Sequence, residues 1–242
     1  MKVCVVSAWH NEERLAPFFL SHYAWADSVV LLIGSDTTDD SRAVAGRFSN
    51  VEVRPVEFPG GLLDDNFKIE VFNRLVPGLP ADWVFALDAD ELIFPPGGED
   101  SRAFLGRQNG ATVINAGMYQ VYRNRAEGPL DPALPAVPQR RHGSIIWHHL
   151  KPCIVRPEAG IAWEVGHHHL HREGTIKIAR ESFIGAHWAF ADEGIAIERY
   201  IQGRSQRMSP ENRKKRHGFH THRTAESILA ECASHLDDEK LF

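Results

Sequence analysis

Asp88, Asp90 and Glu91 stand between two apolar runs, Trp83 to Leu87 and Leu92 to Phe94, so carboxylates occupy a stretch that otherwise reads as buried. A carboxylate taken out of water is costly unless a cation or several hydrogen-bond donors face it. If the upstream strand runs on past Leu87, its two-residue period puts Asp88 and Asp90 on one side and Ala89 on the other. Oxygen ligands aimed at one point suit a hard divalent ion, Mg2+ or Mn2+. Such an ion takes one or two protein carboxylates and completes its sphere with phosphate oxygens and water. It neutralises charge that develops on a diphosphate leaving group without any proton transfer. The competing reading is a solvated acidic turn at a sheet edge, because an Asp-x-Asp triplet alone is a short motif.

Histidine is the second reactive type in excess: of 14, His148, His149, His167, His168, His169, His171 and His187 fall in one stretch. A neutral imidazole would complete a two-carboxylate, one-histidine sphere. In an extended segment His167 and His169 share a face and His168 points away, so the run cannot supply three ligands. The third cluster is basic. Arg199, Arg204, Arg207, Arg213, Lys214, Lys215, Arg216 and Arg223 lie between positions 199 and 223 against the single acid Glu211. These side chains could close over a diphosphate, lean on an anionic membrane that presents a lipid-linked acceptor, or form a solvated helical face.

Such groups need a frame, and the first part of the chain has one. Val3 to Val6, Val29 to Ile33, Val51 to Val56 and Trp83 to Leu87 read as strands. Helical spacing runs from Leu15 to Tyr23, from about Ser41, where Asp39 or Asp40 could cap, and from Phe67 to Leu75. Apolar strands alternating with helices predict an open α/β sheet covered on both faces, with ligands at the carboxyl ends of its strands. Beyond Pro95-Pro96-Gly97-Gly98 the alternation stops. A proline-rich loop spans Pro129 to Pro138, strand-like pieces surround Ile145, Ile154, Ile161 and Ile176, and helical pattern returns at Ile195 to Arg207 and Thr224 to Leu236. The chain reads as one domain, 1–97 forming the ligand-binding half and 98–242 a mixed extension with C-terminal helices.

At 242 residues, 43% hydrophobic and 24% charged, the composition is globular and sufficient for a core without disulfides. Cys4, Cys153 and Cys232 are odd in number, widely separated and form no CxxC pair, which supports neither a disulfide framework nor a thiolate zinc site and fits a reducing, cytosolic setting. The apolar start at Val3 to Val6 is broken by His10 to Arg14, too soon for a signal peptide or a membrane span. A net charge of -5 argues against general nucleic-acid binding.

Asn11-Glu12-Glu13, then Thr37-Thr38-Asp39-Asp40-Ser41, then Asp82 through Glu91 resemble, in order and spacing, the corresponding segments of glycosyltransferase family 2 and its relatives. A looser likeness continues through Lys151 to Pro157, Gly166-His167 and His187-Trp188. The resemblance implies a GT-A fold, that is, a Rossmann-like, mostly parallel open sheet flanked by helices. It also implies a nucleoside-diphosphate sugar donor, by default a UDP-sugar, and a glycan or lipid-linked sugar acceptor. Mn2+ or Mg2+ would be held by Asp88, Asp90 and His187, with His167 or His169 as the rival histidine. Its implied donor set is Trp9, Asn11, Glu12, Asp36, Lys68, Asp88 and Arg204, with Trp9 and Asn11 beside the base and Asp36 on the base or ribose. Arg204-Ser205 follows His187 as in a His…Arg-Ser pattern of relatives, which favours a diphosphate role. An inverting transfer needs a carboxylate to deprotonate the acceptor hydroxyl. Glu164 is the candidate by sequence order, with Asp192 and Glu193 as alternatives, Glu91 bracing the acidic turn and His167 lining the acceptor pocket. The expected location is cytoplasmic, with peripheral contact at the inner face of a membrane through residues 199–223. Two other readings stay open. One is a phosphoesterase or nucleotidyltransferase with a two-metal site, the other a non-catalytic sugar-nucleotide-binding module.

Overall fold

The apolar runs become strands that share one sheet. The computed structural model describes residues 1–172, 176–215 and 223–242. Among these, the strands are β1 Val3–Trp9, β2 Ser28–Gly34, β3 Val51–Val56, β4 Trp83–Leu87, β5 Glu91–Phe94, β6 Val113–Tyr122, β7 His142–Val155, β8 Ile161–Trp163, β9 Leu170–Arg172 and β10 Phe183–Phe190. The helices are α1 Ala16–His22, α2 Ser41–Ala45, α3 Asp65–Leu75, α4 Ser101–Gly106, α5 Glu193–Ile197, α6 Ser205–Arg207, α7 Pro210–Lys215 and α8 Ala225–Ser234. A π-helical turn, Glu198–Arg204, joins α5 to α6.

The main sheet has the order β3-β2-β1-β4-β7-β6-β10-β5, and β8 pairs with β9 in a separate hairpin. β3, β2, β1 and β4 are mutually parallel, as are β6 and β10, while β7 runs antiparallel to its neighbours β4 and β6. The architecture is α/β, a largely parallel, curled open sheet flanked by helices, consistent with a Rossmann-like GT-A fold. Both faces of β1, β2 and β4 are covered, which is why these strands carry so few polar residues. Phe18 and Phe19 from α1 and Tyr23 just after it, with Phe104 from α4, pack on one face. Ile69 and Phe72 from α3 cover the other.

The curl follows from one short connection. β4 and β5 are separated by four strand spacings in the sheet order, about 19 Å if the sheet were flat. Leu87 and Glu91 are four residues apart in sequence, a reach of at most about 14 Å. The sheet must therefore bend until β5 approaches the end of β4. Tyr23 pins the bend from inside, its hydroxyl donating to the Glu91 carbonyl at 2.9 Å and accepting from the Ile93 N–H at 2.8 Å.

His22 faces the Ile93 carbonyl through Nε2 at 2.9 Å, and burial pushes its pKa down from 6.5 to about 4. The folded ring is neutral, whereas the unfolded one takes up a proton below about pH 6.5. Its stability contribution is thus complete above that value and is lost as the pH falls toward 4, by about 3 kcal/mol. Melting curves between pH 7.5 and 4.5 should show this decline, and His22→Gln should flatten it. Equal slopes in both proteins would assign the acid sensitivity elsewhere.

The extension differs from its sequence expectation in detail. Ile145 and Ile154 lie in the single long strand β7, Ile161 lies in β8, and Ile176 is in no strand. β5, β6 and β10 add the other half of the sheet. Helical pattern from Ile195 to Arg207 is realised as α5, the π-turn and α6.

Candidate functional site

β4 delivers the acidic motif at its carboxyl end, where the chain turns sharply into β5. The Glu91 carboxylate accepts from the Asp88 N–H at 3.0 Å, and the Glu91 N–H donates to the Asp88 carbonyl at 3.1 Å. Trp188 of β10 donates its N–H to the Asp90 carbonyl at 2.6 Å, which ties the turn to the far half of the sheet. Beneath it Lys151 of β7 reaches both Glu91 oxygens, at 2.5 and 2.6 Å, and stands 3.9 Å from Asp88 Oδ2. Lys68 of α3 donates to Asp88 Oδ1 at 2.9 Å. Burial alone would raise the Asp88 pKa, but Lys68 and Lys151 outweigh it and hold the carboxyl well below the usual range. Burial likewise disfavours the Lys151 ammonium, and Glu91 and Asp88 more than compensate.

Asp90 is fully buried. Its Oδ2 lies 2.8 Å from Arg199, 3.3 Å from His187 Nε2 and 3.7 Å from Arg204, while its Oδ1 has no hydrogen-bond partner. Burial again works against the charge, and Arg199 and His187 overcome it. The π-turn explains how Arg199 and Arg204 reach one oxygen. Residues five apart would diverge by about 140° around an α-helix, whereas i→i+5 bonding closes roughly one turn over that interval. Arg199 also pairs with Glu12, whose pKa burial pushes up to about 7 against the pull of that guanidinium.

The loops after β1 and β2 brace each other beside this cluster. Asn11 adopts the left-handed conformation at φ 53°, which asparagine tolerates, and exchanges hydrogen bonds with Thr38. Glu12 N–H donates to Ser41 Oγ at 2.8 Å and Glu13 N–H to Asp39 at 2.8 Å. Asp36 is held by Arg207 at 2.6 Å and faces His10 at 3.4 Å. Trp9 belongs to the core: it is 1% exposed, its indole N–H donates to Ser7, and its ring meets the edge of Phe19.

His167 is buried at a positive φ of 58°, against Phe72 and Trp163, and neither ring nitrogen has a hydrogen-bond partner. Burial and the nearby Lys151 and Lys68 push its pKa well down. Glu164 is exposed, one residue before the short turn Val165–His167. Among the described residues no hydrogen bond or ion pair joins its carboxylate to Asp88, Asp90 or His187. Asp192 caps α5 through Gly194 and Ile195 and pairs with Arg14, and Glu193 opens that helix. His169 is exposed. The side chains of His148, His149 and His171, and residues 216–222 of the basic run including Arg216, lie outside the described residues. Within that run Arg199, Arg204 and Arg207 turn inward to carboxylates, whereas Lys214 and Lys215 of α7 are exposed. No helix among the described residues is long and apolar enough to cross a membrane.

The residues suit a divalent cation, the group the resemblance implies. The orphaned Asp90 Oδ1 and the His187 ring stand together, and Asp88 is 24% exposed beside them. Among the described residues no three His, Cys, Asp or Glu side chains form a ready-made cage. Mg2+ and Mn2+ in diphosphate sites need none, since phosphate oxygens and water fill the sphere. Arg199 and Arg204 share Asp90 Oδ2, so that charge is divided between the guanidiniums and any ion.

Two roles were not legible beforehand: Lys151 as the buried partner of Glu91, and Gln120 of β6, which meets His187. A lone lysine ahead of the apolar end of β7, Cys153 to Val155, was the signal for the first. No protein-family model matches the chain, and no curated protein does. Among solved structures, the first 349 residues of S. aureus TarS are similar at TM-score 0.45 and 15% identity, covering 83% of this chain and 63% of that one. A longer TarS structure gives TM-score 0.44 at 15% identity, over 97% and 43%. Glucosyl-3-phosphoglycerate synthase from Mycobacterium tuberculosis, in complex with Mn2+, uridine-diphosphate and phosphoglyceric acid, gives 0.32 at 18% identity, over 51% and 44%. The chain spans less than two thirds of each of these three proteins.

Proposed function

We propose that the chain is a glycosyltransferase that takes a nucleoside-diphosphate sugar and passes the sugar to an acceptor hydroxyl. The observation that carries this reading is the pairing at the end of β4, where Asp88 meets Lys68 and Lys151 and Asp90 meets Arg199 and Arg204. A diphosphate entering such a cluster finds cations already positioned for its oxygens and a carboxylate pair able to share a metal. Preorganised charge of this kind stabilises a departing diphosphate with little reorganisation. Arg204 and Lys68, 27% and 12% exposed, are the cations at the mouth. Asn11 and Asp36, on the braced loops after β1 and β2, are the proposed contacts for base and ribose. A divalent ion held by Asp88, Asp90 and His187 would supply Lewis-acid neutralisation of the leaving group.

Thermal melting with UDP or GDP, with and without Mn2+, tests the proposal. At about 100 times its dissociation constant, one diphosphate should add about 2.7 kcal/mol, a rise of roughly 5–10 °C for a chain of this size. The absence of any shift with every nucleoside diphosphate and metal tried would sink the reading. Hydrolysis of a generic phosphate ester, with no sugar acceptor required, would favour a phosphoesterase instead.

A further inference from the structure

His187 of β10 and Gln120 of β6 are register partners on adjacent parallel strands. The Gln120 amide nitrogen donates to the His187 carbonyl at 3.0 Å and lies 3.3 Å from the Val121 carbonyl, which uses both of its N–H groups. Its oxygen is left facing His187 Nδ1 at 2.7 Å. The opposite amide orientation would set that oxygen against two carbonyl oxygens, with no donor between them. The imidazole must therefore carry a proton on Nδ1, which leaves Nε2, 3.3 Å from Asp90 Oδ2, as the nitrogen able to take a metal ion. Either a proton on Nε2 or a metal ion in its place makes that contact favourable, and Nδ1 keeps its proton in both cases. Asp90 Oδ1, buried without a partner, adds a further donor atom to the same seat.

We infer that Gln120 is a positioning residue that locks His187 in the Nδ1–H tautomer and so makes its Nε2, together with Asp90, a divalent-cation seat. This deepens the proposed function and rests on it for what the cation does, though not for the cation's presence. Without the Gln120 oxygen the ring is free to carry its proton on Nε2 and donate it to Asp90, which cancels it as a ligand. Hydrogen-bond partners that orient ligand histidines typically change metal affinity 10–100-fold.

The test uses the full chain with 15N-labelled histidine and Mn2+ as the probe. Long-range 1H–15N spectra of the metal-free protein, with His187 signals identified by their loss in His187→Ala, should show Nδ1 protonated in the wild type. In Gln120→Leu the proton should move to Nε2, and Mn2+ binding followed by electron paramagnetic resonance should weaken about 10–100-fold. A wild-type ring protonated on Nε2 and bare at Nδ1 overturns the inference without recourse to any variant. So does a Gln120→Leu protein with unchanged tautomer and Mn2+ affinity, or a wild type that binds no Mn2+. Mn2+ binding with the expected tautomer but no affinity for any nucleoside diphosphate upholds the Gln120 assignment and sinks the proposed transferase reading.

Discussion

Lys151→Met is expected to destabilise the fold by about 3–5 kcal/mol, the cost of stranding a buried charge. The Lys151 and Glu91 side chains are 3% and 6% exposed, and the ammonium contacts both carboxylate oxygens. Water cannot replace it there. Removing the cation leaves Glu91 desolvated and leaves Asp88 with Lys68 as its remaining lysine partner. Glu91 also accepts the Asp88 N–H, so the turn itself loosens with it. Adding Glu91→Gln to Lys151→Met removes the stranded charge while an amide oxygen keeps that acceptor, and most of the loss should return. Urea denaturation at pH 7 of the single and double variants measures both effects. A single variant within about 1 kcal/mol of wild type would show that the pair is not desolvated as described.

If the proposed transfer is the reaction, Asp90→Asn should reduce it by about 10²–10³-fold, the range seen when preorganised electrostatic groups are removed. The carboxylate is the meeting point of Arg199, Arg204 and His187, so its loss removes both the proposed cation ligand and the group that holds the guanidiniums in place. The signs of the binding effects separate the two roles. With Mn2+ present, diphosphate affinity should fall. With metal chelated it should hold or rise, because Arg199 and Arg204 no longer face a competing anion. Initial rates paired with calorimetric titration of UDP or GDP, with Mn2+ or EDTA, give all these quantities. Retention of a tenth of the activity would place the chemistry elsewhere.

How much of this could be read in the sequence depends on how far apart the interacting residues lie. β1 to β4 and the helices between them announce themselves, because each is an uninterrupted apolar or periodic run whose burial is decided locally. The acidic turn was legible for the same reason, since carboxylates between two such runs are conspicuous. β6 and β10 were not, because Asn115, Gly117, Gln120, Gly185 and His187 interrupt their hydrophobicity, and only register across the sheet explains those residues. Gly185, for example, leaves room that the Met118 side chain fills, and a Cβ there would come within 2.2 Å of its sulfur. Gln120 carries no signal of its own until His187 is placed opposite it. The basic run between 199 and 223 was visible as charge, but a π-turn that aims Arg199 and Arg204 at one oxygen is a backbone choice that composition does not encode.

The short link from β4 to β5 also dictates an order of assembly. Among the described residues β5 pairs with β10 alone, a strand that begins some ninety positions later in the chain. During synthesis the parallel half can gather around its helices early, while Leu92 and Ile93 remain an unpaired, apolar edge until Phe190 has been made. A nascent or truncated chain that ends before β10 would hold every strand of the parallel half, β1 to β4, and still lack a finished acidic turn. The acidic turn is thus completed late and all at once, and incomplete forms of the polypeptide carry a sticky edge.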